Sequence, residues 1–196
     1  MATMEDYYRD ILIWENVPPR TLIDQWPVGL RNAIEADFVS AVASSSLIGA
    51  SCPITPGSSN QSVGNQVEAY TVARLTGRLT GFHLGPCSGA GYPDKKLVQA
   101  GTGLSIPLEM KATSDWNPRD SNRRVLTSSS AKLRSQFPGP VHHLVATVIY
   151  SGNPGGVRID RLRLDFLEPN TAVSVRLEAS VNHKILATGS HHSRDI

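Results

Sequence analysis

Three side chains in the stretch GYPDKKLVQAGTGLSIPLEMKAT, residues 91–113, are of types that do chemistry together: Asp94, Glu109 and Lys111. From Phe38 to Ser114 the chain has only three carboxylates, Glu68 being the third beside Asp94 and Glu109. Surface decoration would scatter acids more freely. In LSIPLEMK, alternate side chains leave opposite faces of a strand. Leu104, Ile106, Leu108 and Met110 share a face that can be buried. Glu109 and Lys111 lie side by side on the other, about 7 Å apart along the strand. Pro107 has no amide hydrogen, which predicts a strand unpaired or bulged on one side there. Asp94 arrives at a Pro-Asp turn after the Gly-rich GAGY, where backbone can come close to another group.

An acid from a turn and an acid from an adjacent strand form a hard-oxygen pair suited to Mg²⁺. This ion takes oxygen ligands octahedrally and commonly uses one or two protein carboxylates, with waters and phosphate completing its shell. It polarises a phosphoryl oxygen and lowers the pKa of a bound water. Lys111 would supply a point charge for the attacking water and for the charge that develops at phosphorus. Glu68 would reach a second metal or a coordinating water. These parts fit hydrolysis of a phosphodiester; the plain alternative for Glu109 and Lys111 is an exposed ion pair on a strand.

The elements that must position these groups are legible from periodicity. Leu30, Ile34, Phe38 and Val42, four residues apart, predict a helix over 27–46. SCPITPGSSNQS, 51–62, is a Pro/Gly/Ser loop. A second helix is predicted over 62–76, with Ser59 or Asn60 as its cap, Val63, Val67 and Tyr70 on its apolar side and Gly77 at its end. Short strands follow at RLTGFHL, KKLVQ and LSIPLEMKA. A helix opened by hydroxyl residues is predicted at TSSSAKLRSQF. Strands are then predicted at LVATVIY, RIDRLRLDFLE, SVRLEASV and KILATG. The set predicts an α/β or α+β fold, a central mixed β-sheet flanked by helices. The 196 residues suggest one domain: a helical part over 1–50, a catalytic core over 60–150 and a strand-rich extension over 151–196.

Pro93-Asp94, fourteen intervening residues, then Glu109-Met110-Lys111 on an apolar strand resembles the PD-(D/E)XK nuclease motif, and NQSVGNQVEAY with Glu68 resembles that family's first core helix. The resemblance implies a four-stranded mixed sheet flanked by helices and Mg²⁺-dependent DNA cleavage. It makes Asp94, Glu109 and the Met110 carbonyl metal ligands and turns Lys111 toward the nucleophilic water. It covers residues 60–150, and a compact chain without ATPase motifs is most similar to a type II restriction endonuclease. A homodimer and a cognate DNA methyltransferase are then the expected companions. Asp94-Lys95-Lys96 is a second acid-x-Lys triplet, but no Asp or Glu precedes it between 69 and 93, so that register fails.

Charge distribution agrees with a nucleic-acid partner. The net charge is only +2, but acids gather in the first fifty residues (Glu5, Asp6, Asp10, Glu15, Asp24, Glu35, Asp37) and bases between Lys111 and Arg134. Arg119, Arg123, Arg124, Lys132 and Arg134 follow the catalytic strand and would grip phosphates or read guanine edges of double-stranded DNA. A solvated charged loop is their plain alternative. The hydroxyls of Thr127 to Ser130 would open a helix able to hold a phosphate. The acidic, Trp-containing surface of 1–50 is the expected dimerisation face, and Arg158, Arg161, Arg163, Arg176 and Lys184 suggest DNA or dimer contacts in the C-terminal third. His142-His143 is expected to satisfy backbone groups, and His191-His192 to lie in a disordered end.

Other classes are disfavoured. Cys52 and Cys87 make neither a zinc spacing nor a disulfide scaffold. No phosphate-binding GxxxxGK[ST] and no GxSxG elbow occurs. The start MATMEDYYRD lacks the basic and apolar regions of a signal peptide, and no apolar run is long enough for a membrane helix, so a cytoplasmic location is expected. The rivals to a restriction enzyme are a structure-specific repair or junction-resolving nuclease and a non-catalytic DNA-binding protein.

Overall fold

The computed structural model describes residues 2–12, 21–88, 92–114, 125–128, 130–137, 139–177, 183–189 and 191–196. In chain order the elements are β1 (Ala2–Thr3), α1 (Met4–Leu12), α2 (Val28–Ser44), β2 (Ser51–Pro53), α3 (Asn60–Leu75), β3 (Phe82–Pro86), β4 (Lys95–Gln99) and β5 (Ser105–Thr113). There follow β6 (Val125–Ser128), α4 (Ser130–Gln136), β7 (His143–Asn153), β8 (Gly156–Leu167), β9 (Ala172–Leu177), β10 (His183–Gly189) and β11 (His192–Asp195). The fold is α+β, with a curled mixed sheet flanked by helices, as the alternation of patterns predicts. Among the described residues no helix is long and apolar enough to cross a membrane.

The larger sheet has seven strands, six in the order β11-β8-β7-β5-β4-β3 and β2 paired to β8. It is mixed because β5 and β7 run parallel while their other partners are antiparallel. It therefore exceeds the four strands implied by the family resemblance. A second sheet, in the order β1-β9-β10-β6, takes up strands of the C-terminal third. Eight consecutive buried residues at the start of β7, His143 to Tyr150, reflect cover on both faces. One face packs Leu97, Ile106, Leu108, Leu144 and Leu164 with Ile34 and Phe38 of α2 and Val67 of α3. The other packs Val145 and Leu167 with Tyr8, Leu22, Tyr92 and Val173.

Capping chemistry fixes α3 as read. Ser59 accepts a hydrogen bond from the Ser62 amide, and Gly77, with φ of 75°, turns the chain away just beyond the last turn. Three expectations need correcting. The strand predicted from Arg78 starts only at Phe82, because the amides of Thr80, Gly81 and Phe82 donate to the Asp37 carboxylate rather than to a ladder. The hydroxyl-led helix starts at Ser130; Thr127 and Ser128 lie in β6, paired with Lys184 and His183 of β10. And His192 begins a strand: β11 pairs along β8, and the C-terminal Ile196 exchanges backbone hydrogen bonds with Leu162.

Candidate active site

The β4–β5 hairpin brings the acids together. Its register pairs Lys95 with Leu108, so Asp94, one residue before, comes level with Glu109, one residue beyond. The connecting turn depends on Gly101 and Gly103, at φ of 83° and 71°, a left-handed backbone that other residues enter only at a cost. A one-residue slip would turn Glu109 to the opposite face. On the other side, β5 meets β7 from Leu108 onward, so Pro107 precedes the parallel ladder and its missing amide is not called on there.

Glu109 is only 4% exposed. Its Oε1 takes a 2.5 Å ion pair from the Lys111 Nζ, while Oε2 is buried without a hydrogen-bond partner. Burial, and then the charge of Asp94, pushes the Glu109 carboxyl up; Lys111 and the Asp94 amide pull it back. Burial acts to lower Lys111, but Glu109, Glu68 and Asp94 around it hold the ammonium above its ordinary value. α3 packs over β5 and brings in Glu68, which is raised to about 7 by burial, with Glu109 and Asp94 adding to the shift and Lys111 and the Ala112 amide opposing it. Four groups from three elements thus share one field. Two of the four, Glu68 and Asp94, line a cleft of about 370 Å³ together with Asn65, Val72, Lys95 and Met110.

Asp94 is itself anchored. Tyr92, two residues upstream, is buried, and its hydroxyl lies 2.6 Å from the His143 Nδ1. Burial pushes His143 down to about 4, so the ring is neutral; its Nε2 donates to the Leu22 carbonyl at 2.5 Å and its Nδ1 accepts from Tyr92. His142 likewise lies against the Asp24 carbonyl. These histidines satisfy backbone groups, as expected, and His143 further holds the segment that delivers Asp94. For Tyr92 the available signal in the sequence is an aromatic two residues before a candidate site acid.

Does the donor set fit a divalent metal? Among the described residues no three His, Cys, Asp or Glu side chains form a ready cluster. Mg²⁺ needs fewer, and here three acids face one lysine, with the buried Glu109 Oε2 lacking any partner. A hard cation would answer both the missing partner and the excess negative charge. The residues fit.

The basic residues sort differently. Arg119, Arg123 and Arg124 lie outside the described residues, as does the side chain of Lys132. Arg134 is exposed on α4. In the C-terminal third, Arg158 pairs with Asp160, Arg161 with Asp195, and Arg163 with both Asp165 and Asp195. These arginines pair with aspartates within the molecule, Arg158 and Arg161 at the solvent-exposed surface; the side chains of Arg176 and Lys184 are outside the described set. Lys95, set aside with the rejected triplet, lines the cleft beside Asp94. Its place on α3's side of β4 follows from the hairpin register, which no local motif reveals.

No protein-family model matches the chain, and no curated protein matches its sequence. Among solved structures it is similar to that of the restriction endonuclease BglI bound to its DNA recognition sequence, at 11% identity and a TM-score of 0.40, over 98% of this chain and 87% of that one.

Proposed function

We propose that this protein is a Mg²⁺-dependent endonuclease that hydrolyses phosphodiester bonds of double-stranded DNA, and that it acts as a type II restriction enzyme. The reading rests on its side chains: Glu68 and Asp94 line an open cleft, Glu109 and Lys111 act on Glu68 from close by, and one buried carboxylate oxygen of Glu109 lacks a partner. Asp94 and Glu109, with the Met110 carbonyl that the family resemblance adds, would hold the ion. Bound there, Mg²⁺ supplies polarisation of a phosphoryl oxygen and a lowered pKa for a water. Lys111, kept protonated by the surrounding acids, orients the attacking water and meets charge developing at phosphorus. Glu68, at about 7, exchanges its proton near neutral pH and can take the water's proton. Of the sequence's predicted DNA contacts, Arg119, Arg123, Arg124, Lys132 and Arg134 remain part of the proposal.

A short palindromic site has two-fold symmetry, so a homodimer cuts both strands equivalently, and a cognate methyltransferase protects the host's own sites. The test is digestion of a sequenced phage genome by the purified chain. Discrete fragments with Mg²⁺, none with EDTA, and a rate about 10²- to 10³-fold lower for Asp94→Ala and Lys111→Ala are expected. Cleavage by both variants at the wild-type rate would show the site to be elsewhere. Nicking confined to four-way junctions would mark a junction-resolving enzyme, and duplex binding without cleavage a non-catalytic protein.

A further inference from the structure

The cleft at Glu68 and Asp94 does not end at the carboxylates. A second depression, of about 450 Å³, lies toward the C-terminal end of α3, lined by Ser45, Tyr70, Arg74 and Arg78, and Ala73 forms part of both walls. The two lie on opposite flanks of α3, acidic on one and basic on the other, and meet at Ala73 on its exposed crest. We infer that the substrate's phosphate backbone tracks across this crest, with Arg74 and Arg78 holding phosphates to one side of the cut and Lys95 contacting the backbone at the cleft itself. The inference rests on the nuclease reading of the cleft.

Charge pairing supports it. Among the described residues Arg74, Arg78 and Lys95 make no ion pair, whereas Arg158, Arg161 and Arg163 are matched with aspartates. Arg74 is also held in place: its guanidinium sits 5.0 Å from the centre of the Tyr70 ring and donates to the Ser45 carbonyl at 2.8 Å. An arginine fixed this way keeps donors for a phosphate at little further loss of freedom. The spacing suits a nucleic-acid strand. Six residues of helix separate Glu68 from Arg74, about 9 Å along the axis and about 120° around it, and one strand of duplex DNA presents a phosphate about every 3.4 Å of its own axis. A strand that crosses the helix can therefore meet both flanks.

Each phosphate contact contributes about 0.9 to the slope of log affinity against log salt concentration. The experiment follows binding of a labelled duplex by fluorescence anisotropy, in EDTA to prevent cleavage, over a range of salt concentrations. Arg78→Ala is expected to reduce the slope by about 1 and the Arg74→Ala/Arg78→Ala pair by about 2. The loss should be equal on unrelated duplex sequences, and Arg78→Lys should restore the slope. Arg78 is exposed and, among the described residues, its side chain makes no hydrogen bond or ion pair, so its single variant gives a result even if Arg74→Ala perturbs α3. Wild-type slope and affinity in both variants would overturn the track while leaving the nuclease reading intact. Failure of wild-type protein to cleave any DNA with Mg²⁺ would overturn that reading, and the inference with it.

Discussion

Burial, reinforced by the charges of Glu109 and Asp94, raises the Glu68 carboxyl from 4.5 to about 7. The folded protein therefore prefers Glu68 protonated. The stability this contributes is fully present below about 4.5 and is lost as pH rises through about 7. Without divalent ions, the unfolding free energy of wild-type protein, and with it the melting temperature, should fall more steeply over this window than that of Glu68→Gln, the free-energy difference amounting to on the order of 2 kcal/mol once solvent screening is allowed for. In the proposed site, Mg²⁺ held by Asp94 and Glu109 would act in the opposite sense, because its charge would favour the ionised form of Glu68 nearby; its stabilising effect should then grow as pH passes 7. Calorimetric scans in EDTA and in Mg²⁺ check both. Parallel pH curves for the two proteins would show that Glu68 does not titrate as described. The pairing of Glu109 with Lys111 and the scarcity of competing acids were visible in the sequence, because strand alternation sets which side chains share a face. The shift of Glu68 was not, since it arises from burial under tertiary packing and from charges forty-one and twenty-six positions away in the chain.

At the scale of elements, the site depends on how α2, α3 and the β4–β5 hairpin are held together. Asp37 is the main polar link. It is a buried carboxylate on α2 that accepts from the Thr80 amide and hydroxyl and from the Gly81 and Phe82 amides, at 2.8 to 3.1 Å. Charge-assisted hydrogen bonds of this kind are worth about 1.5–3 kcal/mol apiece, and losing the acceptor leaves several amides unpaired. Asp37→Ala should therefore destabilise the fold by about 3 kcal/mol or more, read from urea denaturation, with Asp37→Asn costing less. A change below about 0.5 kcal/mol would mean that the loop finds other acceptors. The sequence offered Asp37 as one acid of a charged surface. Its burial reflects the packing of a helix against a loop forty-three residues later, which periodicity does not encode.

On the scale of the molecule, the proposed homodimer needs an interface; of the tryptophans of the acidic segment 1–50, Trp26 is buried against Phe166 and donates to the Leu167 carbonyl, and Trp14 lies outside the described residues. Among the described residues, the large hydrophobics left exposed are Val28 and Val39 on α2 and Ile48 just beyond it, within that same segment, at 61%, 40% and 38% exposure. Light scattering of the purified chain should give twice the mass of one subunit, and Val39→Asp should shift it toward the monomer. A wild-type monomer at micromolar concentration, still cutting both strands, would remove the symmetric-dimer reading. The two-sheet arrangement also explains why strand-rich residues 151–196 serve two purposes. β8 and β11 extend the sheet that carries the site, whereas β9 and β10 leave it for the second sheet.

By itself the sequence determined the local pieces: the cap and end of α3, the alternation along β5, the mixed composition of strands and helices, and the three isolated acids with their lysine. Each follows from neighbours within a few positions, where backbone periodicity and capping act. Tertiary structure alone decided which charges remain unmatched. Asp37 meets Thr80, Tyr92 meets His143, and Arg163 meets Asp195 across separations of 43, 51 and 32 residues. Such partners are chosen by strand order and register, and these in turn are set by burying both faces of one curled sheet.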